Sequence, residues 1–177
     1  NDIEANTLDI YRNQFRATKY DHPWLSLNDR DFLRSIGAWT RDRESSKEGL
    51  TLAGLLMFGK LRSILEAVPH FVLDYQERQD NGNDTRWVDR VTLDGTWSGN
   101  LFDFYRIIIN KLYRDLKIPF RLENMKRVDE TRVHEAIREA LVNTLIHADY
   151  TGHVPTLVVK LPDMLMFRNP GMMRLPM

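Results

Sequence analysis

The stretch that most constrains this chain runs from Val133 to Tyr150. There Val133, Ala136, Ile137, Ala140, Leu141, Thr144 and Ala148 recur at intervals of three and four residues. That period belongs to an α-helix with one apolar face, so a long helix must lie against a core here. Glu139, Asn143 and His147 sit four residues apart on the same helix and form a polar stripe. On a wheel at about 100° per residue, Asn143 and His147 fall at or inside the edge of the apolar face. Polar side chains at the rim of a core-facing surface cost free energy unless something binds them, so the stripe marks a candidate site. The structural alternative is a solvated helix edge, with His147 a core histidine bonded to a backbone carbonyl.

Composition narrows the class. The 177 residues suffice for one domain or one and a half. An apolar share of 42% and a charged share of 28% exclude a disordered chain. Lys+Arg and Asp+Glu are both 25, so the chain carries no electrostatic footprint of a domain built to grip phosphate backbones. The absence of cysteine excludes a disulfide framework and a thiolate metal site, and it fits a reducing, cytoplasmic setting. No apolar run approaches the roughly 20 residues needed to span a bilayer, and no membrane partner is expected. The chain starts at Asn1 and stops at Met177, just after a strand-like run, so an excised piece of a longer protein is expected.

The element pattern is α+β. Thr7 to Ala17 reads as a helix with Leu8, Tyr11 and Phe15 on one side, broken by Asp21-His22-Pro23-Trp24. A second helix should follow Ser26 as its cap, with Asp29 the capping-box partner, and carry Phe32, Leu33 and Ile36. The charged segment from Arg41 to Glu48 reads as a solvated loop. Thr51 should cap a short helix that Gly59 ends, buried on nearly all sides, and Gly54 inside it implies a close backbone approach. Leu61 to Ala67 is another short helix. Phe71, Leu73 and Tyr75 then alternate as one strand and Trp87, Val91 and Leu93 as its hairpin partner, with Asn81-Gly82 as the turn signal. Asn100 should cap a helix carrying Leu101, Tyr105, Ile108, Leu112 and Leu116, stopped by Pro119. Phe120 to Val128 reads as extended or irregular. Asp129 and Gly152 should bound the helix of the polar stripe, and two short strands at Leu157–Val159 and Met164–Phe167 should meet at Pro162-Asp163.

Three constellations bear on chemistry. A carboxylate one turn from a carboxamide suits a nucleotide–metal site: Glu139 would orient and deprotonate a water, and Asn143 Oδ1 would ligate Mg²⁺ bridging phosphates. His147, Asp149 and His153 could form a metal site only if the helix ended between the first two, because residues two apart diverge by about 200°. Asp149 and Tyr150 are better read as closing the helix end, with Tyr150 packed in the core. Three early helices and a hairpin imitate a winged helix, yet Thr51–Phe58 offers no Arg, Asn or Gln to base edges and reads as core. Arg106, Lys111, Arg114 and Lys117 give one helix a mildly positive side that acidic neighbours offset, and Trp24, Trp39, Trp87 and Trp97 read as core aromatics.

Arg138-Glu-Ala-Leu-Val-Asn-Thr-Leu-Ile-His-Ala-Asp-Tyr150, followed by Phe167-Arg-Asn-Pro-Gly171, resembles the C-terminal module of a bacterial family of transcriptional regulators and RecG-helicase-related ATP-binding proteins. Leu50-Thr-Leu-Ala-Gly-Leu-Leu-Met-Phe-Gly-Lys60 resembles that family's middle segment. The family usually begins with a Schlafen/AlbA-type nucleic-acid-binding domain, which has no counterpart here. Its C-terminal module is similar to the GHKL ATPases, whose first motif is a helix with Glu and Asn four apart. The resemblance therefore implies a connecting α+β domain over residues 1–128 and the first part of a Bergerat-type α/β sandwich over residues 129–177. It puts water activation on Glu139, the Mg²⁺ ligand on Asn143, and further nucleotide contacts on His147, Asn169 and Gly171. Asn169 stands where the family pattern has Asp, so its contact with an adenine amino group should lack charge and be weaker. No glycine-rich lid follows before Met177, so this piece should hold half an ATP site and bind ATP too weakly to measure. The implied whole is a cytoplasmic, nucleotide-responsive DNA-binding regulator, reaching DNA through the upstream domain and able to form a homo-oligomer; whether it turns over ATP is open. Two other classes compete: a non-enzymatic scaffold or dimerisation domain with a degenerate nucleotide site, and direct nucleic-acid binding by this segment.

Overall fold

A computed structural model describes residues 2–43, 46–79, 87–116, 122–123, 126–127 and 131–171. The chain forms two compact units, Asn1–Pro69 with Gly95–Asp103, and His70–Asp94 with Phe104–Met177. These units divide the chain elsewhere than at the expected 128/129 boundary. Residues 70–94, expected in the connector, share a unit with the stripe helix because their strands join its sheet. Both units combine helices and strands, and the fold is α+β.

The first unit contains α1 (Ala5–Thr18), a 3-10 turn over Pro23–Ser26, α2 (Asp29–Ser35), β1 (Trp39–Arg41), β2 (Glu48–Leu50), α3 (Leu52–Phe58) and α4 (Leu61–Ala67). Its core gathers Leu8, Phe32, Leu33, Ala38 and Phe58, with Tyr11, Phe15 and Trp24 packed against them. The Tyr11 ring meets Phe58 and Phe102 edge-on at 5.1 and 5.3 Å, contacts worth about 0.5–1.5 kcal/mol each beyond their area. Arg12 fastens the following turn by donating to the Leu27 carbonyl at 2.7 Å and pairing with Asp29 at 3.1 Å.

Local capping chemistry sets the helix ends. Thr51 Oγ1 accepts from the Gly54 N–H at 3.0 Å and starts α3, and Gly59 closes it. Gly54 has no room for a side chain: a Cβ there would stand 2.1 Å from the Ala38 carbonyl oxygen. Three expectations need correction in this unit. Asn28, not Ser26, caps α2, because Ser26 spends its hydroxyl on the Pro23 carbonyl while Asn28 Oδ1 accepts from the Asp31 N–H. The segment from Arg41 to Glu48 is not all loop, since its two ends pair antiparallel as β1 and β2. Helix α3 is buried on one side only, and Leu52 is exposed.

The second unit is built on a four-stranded sheet in the order β4-β3-β7-β8, from β3 (Leu73–Arg78), β4 (Trp87–Val91), β7 (Thr156–Lys160) and β8 (Leu165–Arg168). A short ribbon, β5 (Leu122–Glu123) with β6 (Lys126–Arg127), lies between them in sequence. Strands β3 and β4 form the expected antiparallel hairpin, as do β7 and β8, whereas β3 and β7 run parallel. A parallel pair cannot be closed by a tight turn, and the connection includes α5 (Leu101–Tyr113) and α6 (Arg132–Ile146). Asn100 caps α5 as expected, its Oδ1 accepting from the Asp103 N–H at 2.9 Å. Tyr75, Leu73, Ile108, Leu112, Leu141 and Val158 are fully buried. Strand alternation puts Glu77 on the Tyr75 face, where the Tyr75 hydroxyl, Arg114 and Lys160 converge on its carboxylate. The opposite face carries buried Asp74, clamped by Nε and Nη2 of Arg90, each at 3.0 Å, and bonded by Gln76. Trp87 is 50% exposed with Arg90 over its ring, so it is not the core residue expected. The Asn81-Gly82 turn, Lys117, Pro119, Asp129 and most of Phe120–Val128 lie outside the described residues.

Candidate functional site

Helix α6 begins at Thr131, whose backbone N–H donates to His134 Nδ1 at 3.3 Å and whose hydroxyl lies 2.8 Å from the same nitrogen. His134 is buried, with the Tyr113 ring edge-on to it at 4.7 Å. The buried face is His134, Ile137, Leu141, Thr144 and Leu145. Thr144 satisfies its hydroxyl on the Ala140 carbonyl at 2.7 Å. The expected apolar face is therefore rotated. Val133 and Ala136 are exposed, and the helix turns its larger aliphatic side chains inward instead.

That rotation decides where the stripe lies. Glu139, Asn143 and His147 are all exposed, on the side of α6 away from its buried residues, not at the rim of the core. Along the axis the three span two turns, about 12 Å at 1.5 Å per residue. His147 is the C-cap, its N–H on the Asn143 carbonyl at 3.2 Å, so the helix ends well before Gly152. Asp149 then accepts from the Thr151 N–H and hydroxyl, at 3.0 and 2.6 Å, and closes the turn as expected. Tyr150 is directed inward, its hydroxyl donating to the Leu145 carbonyl at 2.7 Å and its ring 5.2 Å from Phe71. Burial holds the Tyr150 phenol above its ordinary range.

The second motif reaches this helix end. The Asp149 N–H donates to the Pro170 carbonyl at 2.9 Å. Gly171 takes φ +121°, where a Cβ would contact Asp149 at 3.5 Å and the His147 carbonyl at 3.8 Å. The backbone angle favours glycine there, while the distances are ordinary van der Waals contact. Asn169 is exposed beside buried Pro170. The fold thus joins the end of the stripe to Asn169–Gly171, while Glu139 and Asn143 lie further back on the exposed side of α6.

For a divalent cation the donors are oxygens, a carboxylate and a carboxamide one turn apart. Such a set fits Mg²⁺, which keeps several waters and takes the rest of its shell from phosphate oxygens. Asn143 would hold that ion, which when bound would neutralise phosphate charge. Among the described residues no group of three or more His, Cys, Asp or Glu gathers as a metal cage. His153 instead lies against His70, with ring centroids 3.9 Å apart and the rings tilted by 51°. That pair depends on β3 and β7 being parallel neighbours, which no local sequence signal announces.

Residues 1–74 match a family described as a domain of unknown function, DUF8451. No curated protein matches the chain. Among solved structures the chain is similar to the DIP2311 protein from Corynebacterium diphtheriae, a structural-genomics crystal structure, at a TM-score of 0.65 and 24% identity. The likeness covers 98% of this chain and 31% of that one, so this chain spans under a third of its length. At that identity the likeness is one of fold.

Proposed function

We propose that the second unit supplies the first part of a GHKL-like ATP/Mg²⁺-binding module in a cytoplasmic DNA-binding transcriptional regulator of the RecG-related family. The observation that carries the reading is the joining of two motifs far apart in sequence: Pro170 and Gly171 seat on His147–Asp149, at the end of the helix bearing Glu139 and Asn143. An exposed stripe two turns long, closed at one end by a Pro-Gly turn, suits an extended ligand with a base at one end and phosphates at the other. In this reading Asn143 holds Mg²⁺, Glu139 orients and deprotonates the attacking water, and Asn169 accepts from the adenine amino group. DNA is reached through a domain upstream of this chain, and nucleotide binding alters how the module packs on the rest of the protein.

The exposure of Glu139 and Asn143, together with Asn169 in place of Asp, favours a second reading: a scaffold that has kept the shape and lost the nucleotide. Titrating the full-length protein with Mg-ATP separates the two. In the nucleotide reading Asn143→Ala weakens Mg-ATP binding at least about tenfold, whereas Glu139→Ala abolishes turnover and leaves affinity largely intact. Both positions are exposed, so stability should change by no more than about 0.5 kcal/mol in either variant. A full-length protein that shows no saturable Mg-ATP binding belongs to the scaffold class.

A further inference from the structure

The fold brings together two histidines that no motif connects. Thr156 lies opposite Leu73 in the parallel β3–β7 pair, and the Thr156 N–H donates to the Val72 carbonyl at 3.1 Å. His153 and His70 each lie three residues before those partners, so strand register carries them to the same level. Their rings stand 3.9 Å apart between centroids, tilted by 51°, and both are exposed. Immediately beside them the Phe71 and Tyr150 rings pack together, and Tyr150 is tied to the end of α6 through the Leu145 carbonyl. Each imidazole is therefore held on backbone that is fixed independently of the other.

We propose that His70 and His153 form a two-imidazole site for a divalent transition-metal ion of the Zn²⁺ class. Imidazole nitrogens bind Zn²⁺ at about 2.0–2.1 Å, which places two nitrogens on one tetrahedral ion about 3.3 Å apart. Rings already this close, on exposed side chains free to turn, reach that span without moving the strands. Register has already brought the two donors together, so the entropy of assembling them is settled by folding before an ion arrives. Imidazole suits Zn²⁺, Ni²⁺ and Cu²⁺ over Mg²⁺ or Ca²⁺, and this separates the site chemically from the oxygen donors Glu139 and Asn143. Water completes the coordination, since the protein provides two ligands. A bound ion would staple the α6–β7 loop, whose other end touches Pro170 and Gly171, to the start of β3.

The test is calorimetric titration of the 177-residue chain with ZnCl₂ in a non-coordinating buffer, backed by thermal melts with and without the ion. Saturable one-to-one binding is expected, with a rise in melting temperature as the ion binds the folded form. His70→Ala and His153→Ala should each lower the affinity at least about tenfold, the scale on which even outer-shell support matters. His147→Ala should leave it unchanged. Melts without the ion check that each variant is folded. No one-to-one binding by the parent chain, or full affinity in either His70→Ala or His153→Ala, overturns the proposal. Neither result touches the Mg-ATP reading, which rests on other residues.

Discussion

At the scale of single residues, two glycines of the first unit carry opposite demands. Gly54 approaches the Ala38 carbonyl so closely that a methyl group would overlap the oxygen, and that neighbour is backbone with no rotamer to yield. Gly54→Ala should therefore destabilise the protein by about 1–3 kcal/mol or more, seen as a lower urea midpoint. Gly49 in β2 has nothing within 4 Å of a notional Cβ and is not among the residues of positive φ. Gly49→Ala should be neutral or stabilising by up to about 1 kcal/mol, through the lost entropy of the unfolded chain. The requirement at Gly54 was legible because a glycine inside an apolar helix costs about 1 kcal/mol against alanine, a loss that close packing offsets. Trp87 was not legible. A tryptophan alternating with aliphatic residues reads as core, and only the structure shows β4 at the edge of its sheet, with Arg90 covering the indole.

At the scale of elements, what the sequence discloses follows how local the chemistry is. The caps of α3 and α5 are bonds between residues three apart, so Thr51 and Asn100 could be named from sequence alone. The cap of α6 was misplaced because a histidine at the third helical position is a rare partner in a capping box, and Asp129 looked like the ordinary candidate. The rotation of α6 has a similar cause. Alanine is compatible with either face, so a period built on Ala136, Ala140 and Ala148 does not fix the inward direction, whereas Ile137, Leu141 and Leu145 do. Glu139, Asn143 and His147 thus share one side of the helix, but that side is exposed and away from the core. The two legible caps differ in what they hold. Thr51→Ala removes the bond from the Gly54 N–H and the exposed one that the hydroxyl donates to the Gly37 carbonyl, both at 3.0 Å, and should cost about 1 kcal/mol. Asn100 is fully buried and also donates from Nδ2 to Thr7 Oγ1 at 3.1 Å. Asn100→Ala takes the cap from the part-buried Asp103 N–H and a buried donor from Thr7 Oγ1, which keeps its bond to Asp103, and should cost more, about 2–3 kcal/mol. Chemical unfolding of the two variants under one condition checks the order.

At the scale of the whole molecule, the feature least visible in the sequence is the parallel pairing of β3 with β7, since no turn links them and each strand reads correctly without its neighbour. That pairing surrounds Tyr75 with sheet on both sides and leaves its phenol buried against Glu77. Burial first, and the Glu77 carboxylate second, push the Tyr75 phenol well above its ordinary value of 10.0. Tyr150, in the same unit, is raised by burial as well. A phenol that stays neutral when folded but ionises when unfolded gives the native state an advantage that is whole below pH 10 and drains away as pH rises further. Each such group can steepen the alkaline loss of stability by at most about 1.4 kcal/mol per pH unit. Urea unfolding followed between about pH 9 and pH 11 should show this fall in the parent chain. The double variant Tyr75→Phe with Tyr150→Phe should start from lower stability at neutral pH, having lost the bonds to Glu77 and the Leu145 carbonyl, yet decline more gently above pH 10. An unchanged alkaline slope in that variant would mean that the two phenols ionise within the folded sheet, and the burial argument for this unit would fail with it.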